Sequence, residues 1–198
     1  MKRFACLLFI SFTICKLFVQ AQELTWYEGS LVLRSEEVFV GSIAIEPEYD
    51  LVLLRSHDTV SVYPAHKIYS VQFYNARLNM NKRYISVQEH DIAWKRYKLY
   101  EVVVYGDVHV LRKEKEHAFS QGSDVDDYIY FTLHHEKLNK LKEFHSKVYP
   151  ELETNGGVLL SMFILENDLR PKKPAEAIRI IQYYNKLIRD DQTLAAGY

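Results

Sequence analysis

Cysteine is scarce in this sequence, and both of its cysteines, Cys6 and Cys15, lie close to the amino terminus. The rest of the chain therefore has no thiol for a disulfide, a thiolate metal ligand or a cysteine nucleophile. A serine-hydrolase elbow of the form Gly-x-Ser-x-Gly is also absent from the sequence. These absences weaken two families of hydrolytic chemistry, and they leave the stability of the protein to its hydrophobic core.

The sequence also lacks an excess of basic charge. It has 25 Lys and Arg residues against 26 Asp and Glu residues, for a net charge of −1. Removal of residues 1–21 would take away three of the basic residues and none of the acidic ones, which makes the net charge −4. Phosphate binding requires clustered Lys and Arg, so no nucleic-acid partner is expected.

Long hydrophobic runs are missing except at the amino terminus. There, an apolar stretch follows Lys2-Arg3 and ends at Val19-Gln20-Ala21, a pattern typical of a secretory signal. A membrane anchor is the alternative, but a spanning helix needs about 20 apolar residues, and Lys16 interrupts this run. We expect cleavage of residues 1–21, a mature chain that begins near Gln22, and no membrane span in it.

The expected destination is the periplasm, the outer membrane or the outside of the cell. A lipoprotein is a further alternative, although neither Cys6 nor Cys15 is preceded by the Leu and small residues typical of a lipidated cysteine. With only seven glycines and five prolines, the remaining chain shows no linker or low-complexity tract. It does contain all fifteen tyrosines, a residue type that suits half-buried strands.

Residues 22–135 have the alternating pattern of consecutive antiparallel strands. Apolar residues recur at every second position in short runs that end at turn residues, such as Gly106-Asp107. This β-rich region is either one unit or two small sheets that divide near residues 75–82. The five strands expected before that point match the content of a small SH3-like or Sm-like barrel.

The period changes after His135. Leu138, Leu141, Phe144 and Val148 fall at steps of three and four, which predicts a helix that ends before Pro150. Residues 157–167 are expected to form a core helix or a buried strand. A further helix is expected after Pro174, with an apolar stripe at Ala177, Ile180, Ile181, Tyr184, Leu187 and Ile188. The predicted fold class is α+β, with antiparallel hairpins or small barrel-like sheets followed by a helical cap over residues 136–198.

The histidines near the end of the β-rich region are the strongest candidates for metal ligands in the sequence. Metal binding would require three or four ligands that converge, but His134-His135-Glu136 leave a strand in alternating directions, and His145 is not paired with them. Ordinary surface and strand-end histidines are therefore expected, with no metal ligand and no cofactor. The acidic run at residues 123–127 is interpreted as a solvated turn rather than a calcium loop.

No catalytic residue is assigned. Carboxylates for acid–base chemistry are available at Glu46, Glu48, Asp50 and Glu101, but the sequence does not show which two would face a substrate. The remaining candidate site is aromatic, because Tyr97, Tyr100 and Tyr105 lie in one predicted strand. Exposed tyrosines in a sheet can bind glycans, peptides or a partner protein; the alternative is that core residues cover both faces of this strand.

Five short motifs are spread along the chain: Gly41-Ser42-Ile43, Asp50-Leu51-Val52, Lys82-Arg83-Tyr84-Ile85, Tyr100-Glu101-Val102 before Gly106, and Tyr183-Tyr184-Asn185. With these motifs, the chain resembles a group of uncharacterised exported proteins of Bacteroidota-type bacteria. The resemblance spans about residues 27–188 and implies an origin and a fold style but no catalytic residues.

The favoured function is a non-catalytic binding module of the cell envelope or the secreted fraction, with an envelope protein or a glycan as its partner. An envelope hydrolase or carbohydrate-active enzyme is the first alternative, and a deep cleft with facing carboxylates or convergent histidines would favour it. A structural or assembly subunit is the second, and a large exposed apolar patch would favour that. The oligomeric state is left open.

Overall fold

The computed structural model describes residues 24–57, 59–89, 96–115 and 127–195, with side chains to residue 192. The predicted signal at residues 1–21 lies outside the described residues. The strands are β1 (Tyr27–Leu33), β2 (Val38–Glu46), β3 (Leu51–Ser56), β4 (Thr59–Pro64), β5 (Ile68–Asn75), β6 (Met80–Glu89), β7 (Arg96–Val104), β8 (His109–Glu114), β9 (Tyr128–His134) and β10 (Lys137–Lys140). The helices are α1 (Phe144–Lys147), α2 (Tyr149–Glu166) and α3 (Pro174–Ala195).

All ten strands belong to one antiparallel sheet. Its order is β10-β9-β8-β7-β6-β5-β1-β2-β3-β4, so the only neighbours in the described sheet that are not consecutive in the chain are β5 and β1. The prediction of a β-rich antiparallel protein with a helical carboxy-terminal part is confirmed. The sheet does not divide near residues 75–82, because β5 and β6 pair from Ser70 and Ile85 to Asn75 and Met80.

Two connections of the amino-terminal half, β2–β3 and β4–β5, contact β6 and β7 in the middle of the sheet. Asp50, in the turn before β3, accepts a hydrogen bond from the backbone amide of Leu99 in β7 at 2.8 Å. The hydroxyl of Ser86 in β6 donates to the carbonyl of Ala65, which lies in the 3₁₀ turn before β5, at 2.6 Å. These contacts hold the first five strands in a curved arrangement around their own apolar residues.

The buried apolar residues form three clusters although the sheet is continuous. One lies among the first five strands and includes Leu99 of β7, a second lies between residues 104–110 and the helices, and a small third one lies on β6 to β10. The largest fully buried residues include Leu31, Ile43 and Ile68 in the first cluster, Phe144, Leu152, Ile180, Ile181 and Tyr184 in the second, and Tyr100 and Leu111 in the third.

The helical region begins later than the sequence predicts. Leu138 is not on a helix: it lies in β10 and pairs with Leu133 of β9. The reason is that His135 and Glu136 both adopt positive φ angles, of 48° and 63°, and form a two-residue hairpin turn. Pairing with an apolar residue across this hairpin decides the conformation of Leu138, although its spacing is helical. A 3₁₀ turn at Leu141–Glu143 follows before α1.

The two long helices differ in how they use their apolar residues. In α3 the predicted stripe is confirmed, since Ala177, Ile180, Ile181 and Tyr184 are buried. Helix α2 is interrupted at Gly157, whose φ and ψ are 54° and −144°. Beyond this interruption most of its apolar side chains are exposed rather than buried in a core. In the part of the chain that the structure describes, no helix has the length and hydrophobicity needed to span a membrane.

Candidate functional site

The three tyrosines predicted to bind a ligand do not share one surface. Tyr100 is fully buried, its ring meets Phe131 edge-on at 5.2 Å between centroids, and its hydroxyl donates to Glu89. Tyr100 is therefore a core residue, because β7 is covered on both faces at this position. Tyr97 is half-buried and Tyr105 is 67% exposed, so only these two are accessible.

Tyr97 and Tyr105 line the same groove. It has a volume of about 720 Å³ and runs across β5, β6 and β7 toward the turn between β9 and β10. A third tyrosine, Tyr69 of β5, also lines it and is 61% exposed. We call this feature the tyrosine–arginine groove, because Arg34 and Arg83 complete its lining.

Each arginine of the groove lies over a tyrosine ring. The Cζ atom of Arg34 is 4.5 Å from the ring centroid of Tyr97, and the Cζ atom of Arg83 is 4.8 Å from that of Tyr105. Arg34 also donates to the carbonyl of Ser86 at 2.9 Å. A guanidinium that lies over a ring still has N–H donors for a carboxylate or phosphate.

Neither guanidinium is neutralised by a carboxylate among the residues that the structure describes. The partner of Arg83 besides the ring is the neutral amide of Gln72, whose oxygen accepts at 2.8 Å. His109 adds no positive charge near neutral pH, because burial and then the charge of Arg83 lower its pKa, against a smaller opposing effect of Asp107. The groove therefore combines aromatic faces with two guanidiniums and, among its described lining residues, a single carboxylate, that of Glu136.

Sequence reasoning missed both arginines and Tyr69. Arg83 was visible in the Lys82-Arg83-Tyr84-Ile85 motif, but the tyrosine on which it lies is in the segment after β7. Arg34 is further still in sequence from Tyr97. An isolated arginine in a predicted strand was the only signal, and it does not identify a distant aromatic partner.

A second, smaller cavity of about 310 Å³ is lined by two of the candidate catalytic carboxylates, Glu46 and Glu101. Glu101 is buried in an ion pair with Lys82, and it also accepts two hydrogen bonds from Arg112, both at 2.9 Å. Both of its oxygens are thus occupied by cationic donors and are not available to a substrate. Burial, followed by the charges of Glu101 and Glu114, raises the pKa of the neighbouring Tyr84, so this phenol stays neutral.

Of the other proposed carboxylates, Asp50 caps the amide of Leu99 and lies 3.5 Å from the Lys113 amine. Glu46 lines the same small cavity as Glu101. Of the acidic run at residues 123–127, only Asp127 is among the described residues, and its carbonyl accepts from the amide of Lys115 at 2.9 Å. The predicted solvated turn otherwise lies outside the described residues.

The histidines are arranged differently from the sequence prediction. His134 and His135 do not point apart: their ring centroids are 3.9 Å apart, because the chain enters the left-handed region directly after β9. Glu151 of α2 approaches both of them. Glu136 lines the tyrosine–arginine groove instead, and His145 stacks on Tyr149 at 6.1 Å.

No protein-family model matches this chain, no curated protein matches its sequence, and no solved structure matches its fold.

Proposed function

We propose that this protein is a non-catalytic, exported binding module of the cell envelope, and that its tyrosine–arginine groove binds an acidic glycan. The observation that carries the proposal is the pair of guanidiniums, Arg34 and Arg83, each held on a tyrosine ring in one groove. Export is supported by the signal-like residues 1–21 and by the resemblance to exported proteins of Bacteroidota-type bacteria. In this proposal, the first five strands form a small barrel-like unit that supports the groove.

An acidic glycan fits the chemistry of the groove at two levels. Sugar rings pack their apolar faces on aromatic side chains, and Tyr69 and Tyr105 are both more than half exposed. Carboxylates or phosphates on the sugar pair with planar guanidiniums in a bidentate geometry. A neutral glycan would leave the charges of Arg34 and Arg83 unused, and an acidic peptide would not use the flat aromatic faces in the same way.

Binding rather than catalysis is favoured because the groove holds no pair of facing carboxylates among its described lining residues. Glu136 is the single acidic side chain among them. Hydrolysis of a glycosidic bond by the usual mechanism needs two carboxyl groups on either side of that bond. Glu101, the most buried of the proposed catalytic carboxylates, belongs to another cavity and is fully paired.

The test is isothermal titration calorimetry with two probes, an oligogalacturonate and a neutral malto-oligosaccharide. Arg83→Gln and Tyr105→Ala should each weaken binding of the acidic probe by about tenfold, which corresponds to about 1.4 kcal/mol. Arg55→Gln is the matched control, since Arg55 also lies over an aromatic ring, that of Trp26 at 3.9 Å, but outside the groove.

Binding of the acidic probe that Arg83→Gln weakens and Arg55→Gln does not would support the proposal. Equal binding of both probes, or equal losses in both arginine variants, would contradict it. Affinity capture from the native envelope extends the test to natural ligands. If an acidic protein is retained and no glycan is, the natural ligand of the groove is a protein and the glycan proposal is wrong.

A second candidate function, an assembly subunit, is favoured by one observation. Helix α2 presents four apolar side chains that are at least half exposed: Val158 (73%), Leu159 (60%), Met162 (50%) and Leu165 (82%). Light scattering of the purified protein tests this candidate. A concentration-dependent oligomer that Leu165→Gln returns to a monomer would support it, and a monomer at all concentrations would not.

A further inference from the structure

Side chains from three separate elements converge beside the turn between β9 and β10. The ligand atoms of His134, His135 and Glu151 all lie within 4.8 Å of one another. Asp107, from the segment between β7 and β8, reaches His134 from the other side. Two imidazoles and a carboxylate are the ligand types that a zinc-like ion uses.

The hairpin turn creates this convergence. In a regular strand, neighbouring side chains point to opposite faces. Here the last residue of β9, His134, is followed by His135 with a φ of 48°, which turns the second imidazole toward the first. Type I′ turns strongly prefer Asn and Gly, and a histidine and a glutamate at these two positions carry a conformational cost. The conformation of the turn therefore does not by itself explain why histidine and glutamate occupy these two positions.

The distances match a tetrahedral ion. Ligand atoms about 2.0–2.1 Å from a zinc ion lie about 3.3 Å from each other in a tetrahedron. The Nε2 atom of His135 is 3.0 Å from Glu151 Oε1, and the Nδ1 atom of His134 is 3.6 Å from Glu151 Oε2. The two contacts use different oxygens of the Glu151 carboxylate, so this carboxylate must rotate to place one oxygen near both nitrogens when an ion binds.

The remaining nitrogen of His134 already has a partner outside the cluster. Its Nε2 atom lies 3.3 Å from Oδ2 of Asp107, and the side chain of His134 is only 5% exposed. A carboxylate that accepts a hydrogen bond from the far nitrogen of a metal ligand fixes the ring and its tautomer. The Asp107–His134 contact leaves Nδ1 free to point at Glu151.

We infer that His134 Nδ1, His135 Nε2 and the Glu151 carboxylate form a binding site for one divalent transition-metal ion of the zinc type, with Asp107 as the positioning residue. The side chains of His135 and Glu151 are 65% and 45% exposed, so the site opens to solvent. Three protein ligands leave a fourth position for water or for a group on a partner. The ion would also join the β9–β10 hairpin to helix α2.

The site is independent of the proposed glycan binding, because none of its three ligands lines the tyrosine–arginine groove. Arg83→Gln should therefore leave metal binding unchanged, and metal chelation should leave the effect of Arg83→Gln on glycan binding unchanged. The two proposals can fail separately.

The test is calorimetric titration of the purified, tag-free protein with ZnCl₂, followed by the visible spectrum of the Co²⁺-loaded protein. Wild type should bind one equivalent, and the Co²⁺ spectrum should be tetrahedral. His135→Asn and Glu151→Gln remove ligands that are exposed, and Asn tolerates the positive φ of position 135. Both should abolish stoichiometric binding, and Asp107→Asn should weaken it by about 10- to 100-fold.

His145→Asn is the matched control, since His145 is exposed and adjacent to α2 but lies outside the cluster. Thermal unfolding in EDTA checks that each variant is folded. Added Zn²⁺ should raise the midpoints of wild type and of His145→Asn, but not those of His135→Asn and Glu151→Gln. The inference is overturned if wild type binds no Zn²⁺, or if His135→Asn and Glu151→Gln bind it as tightly as wild type does.

Discussion

The side chain of Asn185 in α3 pairs with both backbone groups of Val108, which lies 77 residues earlier in the segment before β8. Its Oδ1 accepts from the Val108 amide at 2.9 Å, and its Nδ2 donates to the Val108 carbonyl at 2.8 Å. Gly106 makes room for this contact, because a Cβ atom there would lie 2.4 Å from Cγ of Asn185. The last helix is thereby attached to the sheet at a defined position.

Replacing Asn185 should destabilise the protein strongly. Asn185→Ala leaves a buried amide and a buried carbonyl without partners, and the expected loss in free energy of unfolding is about 3 kcal/mol. Urea denaturation followed by circular dichroism measures this loss. Gln182→Ala, on the exposed side of the same helix, should change stability by less than about 0.5 kcal/mol. Similar effects of the two substitutions would contradict the role of Asn185.

The buried charges around Glu101 give a second prediction. Glu101→Gln leaves Lys82 without its carboxylate inside the sheet, and removes the ion pair of Arg112 as well. We expect a loss of about 3 kcal/mol in the free energy of unfolding. Lys173→Met, which breaks an exposed ion pair with Glu176, should cost much less. Chemical denaturation of both variants measures the two losses in free energy of unfolding. Equal losses would show that the burial of the Glu101 charge does not contribute to stability.

His109 should make the stability depend on mildly acidic pH. Burial, and then the charge of Arg83, lower its pKa from 6.5, with Asp107 opposing; the ring of Tyr105 meets it edge-on at 4.8 Å. The unfolded chain therefore binds a proton more readily, so this contribution to stability is complete above pH 6.5 and is lost as the pH falls below that value. Urea midpoints measured from pH 8 to pH 5, about the range in which histidine titrates, should fall less in His109→Gln than in wild type. Identical pH profiles would contradict this account.

The turn between β9 and β10 should be easy to stabilise. Glu136 has a φ of 63°, a conformation that costs a non-glycine residue about 1 kcal/mol or more. Glu136→Gly should therefore raise the thermal midpoint, whereas Glu136→Ala, which keeps the unfavourable φ, should not. Differential scanning calorimetry of the two variants measures this effect. A higher midpoint for the alanine variant would mean that the Glu136 side chain, rather than its backbone, is unfavourable.

The sequence by itself determined where the chain alternates and, apart from the start of the helical region, where it is helical. The period of two predicted strands through residues 30–34, 38–45, 50–55 and 128–133. The helical spacing of Ile180, Ile181 and Tyr184 predicted the buried stripe of α3. These features are local, because the direction of each side chain follows from the backbone conformation of its own segment. Short alternating segments joined by short turns favour an antiparallel sheet built from hairpins.

Only the tertiary structure decided which faces are covered and which distant residues meet. Leu138 became part of a strand because Leu133 lies opposite it, and Tyr100 became a core residue because both faces of β7 are packed. Arg83 meets Tyr105, and Glu151 meets His134 and His135, through pairings of residues far apart in the chain. Sequence periodicity carries no information on such contacts, since they depend on register, sheet curvature and the docking of helices.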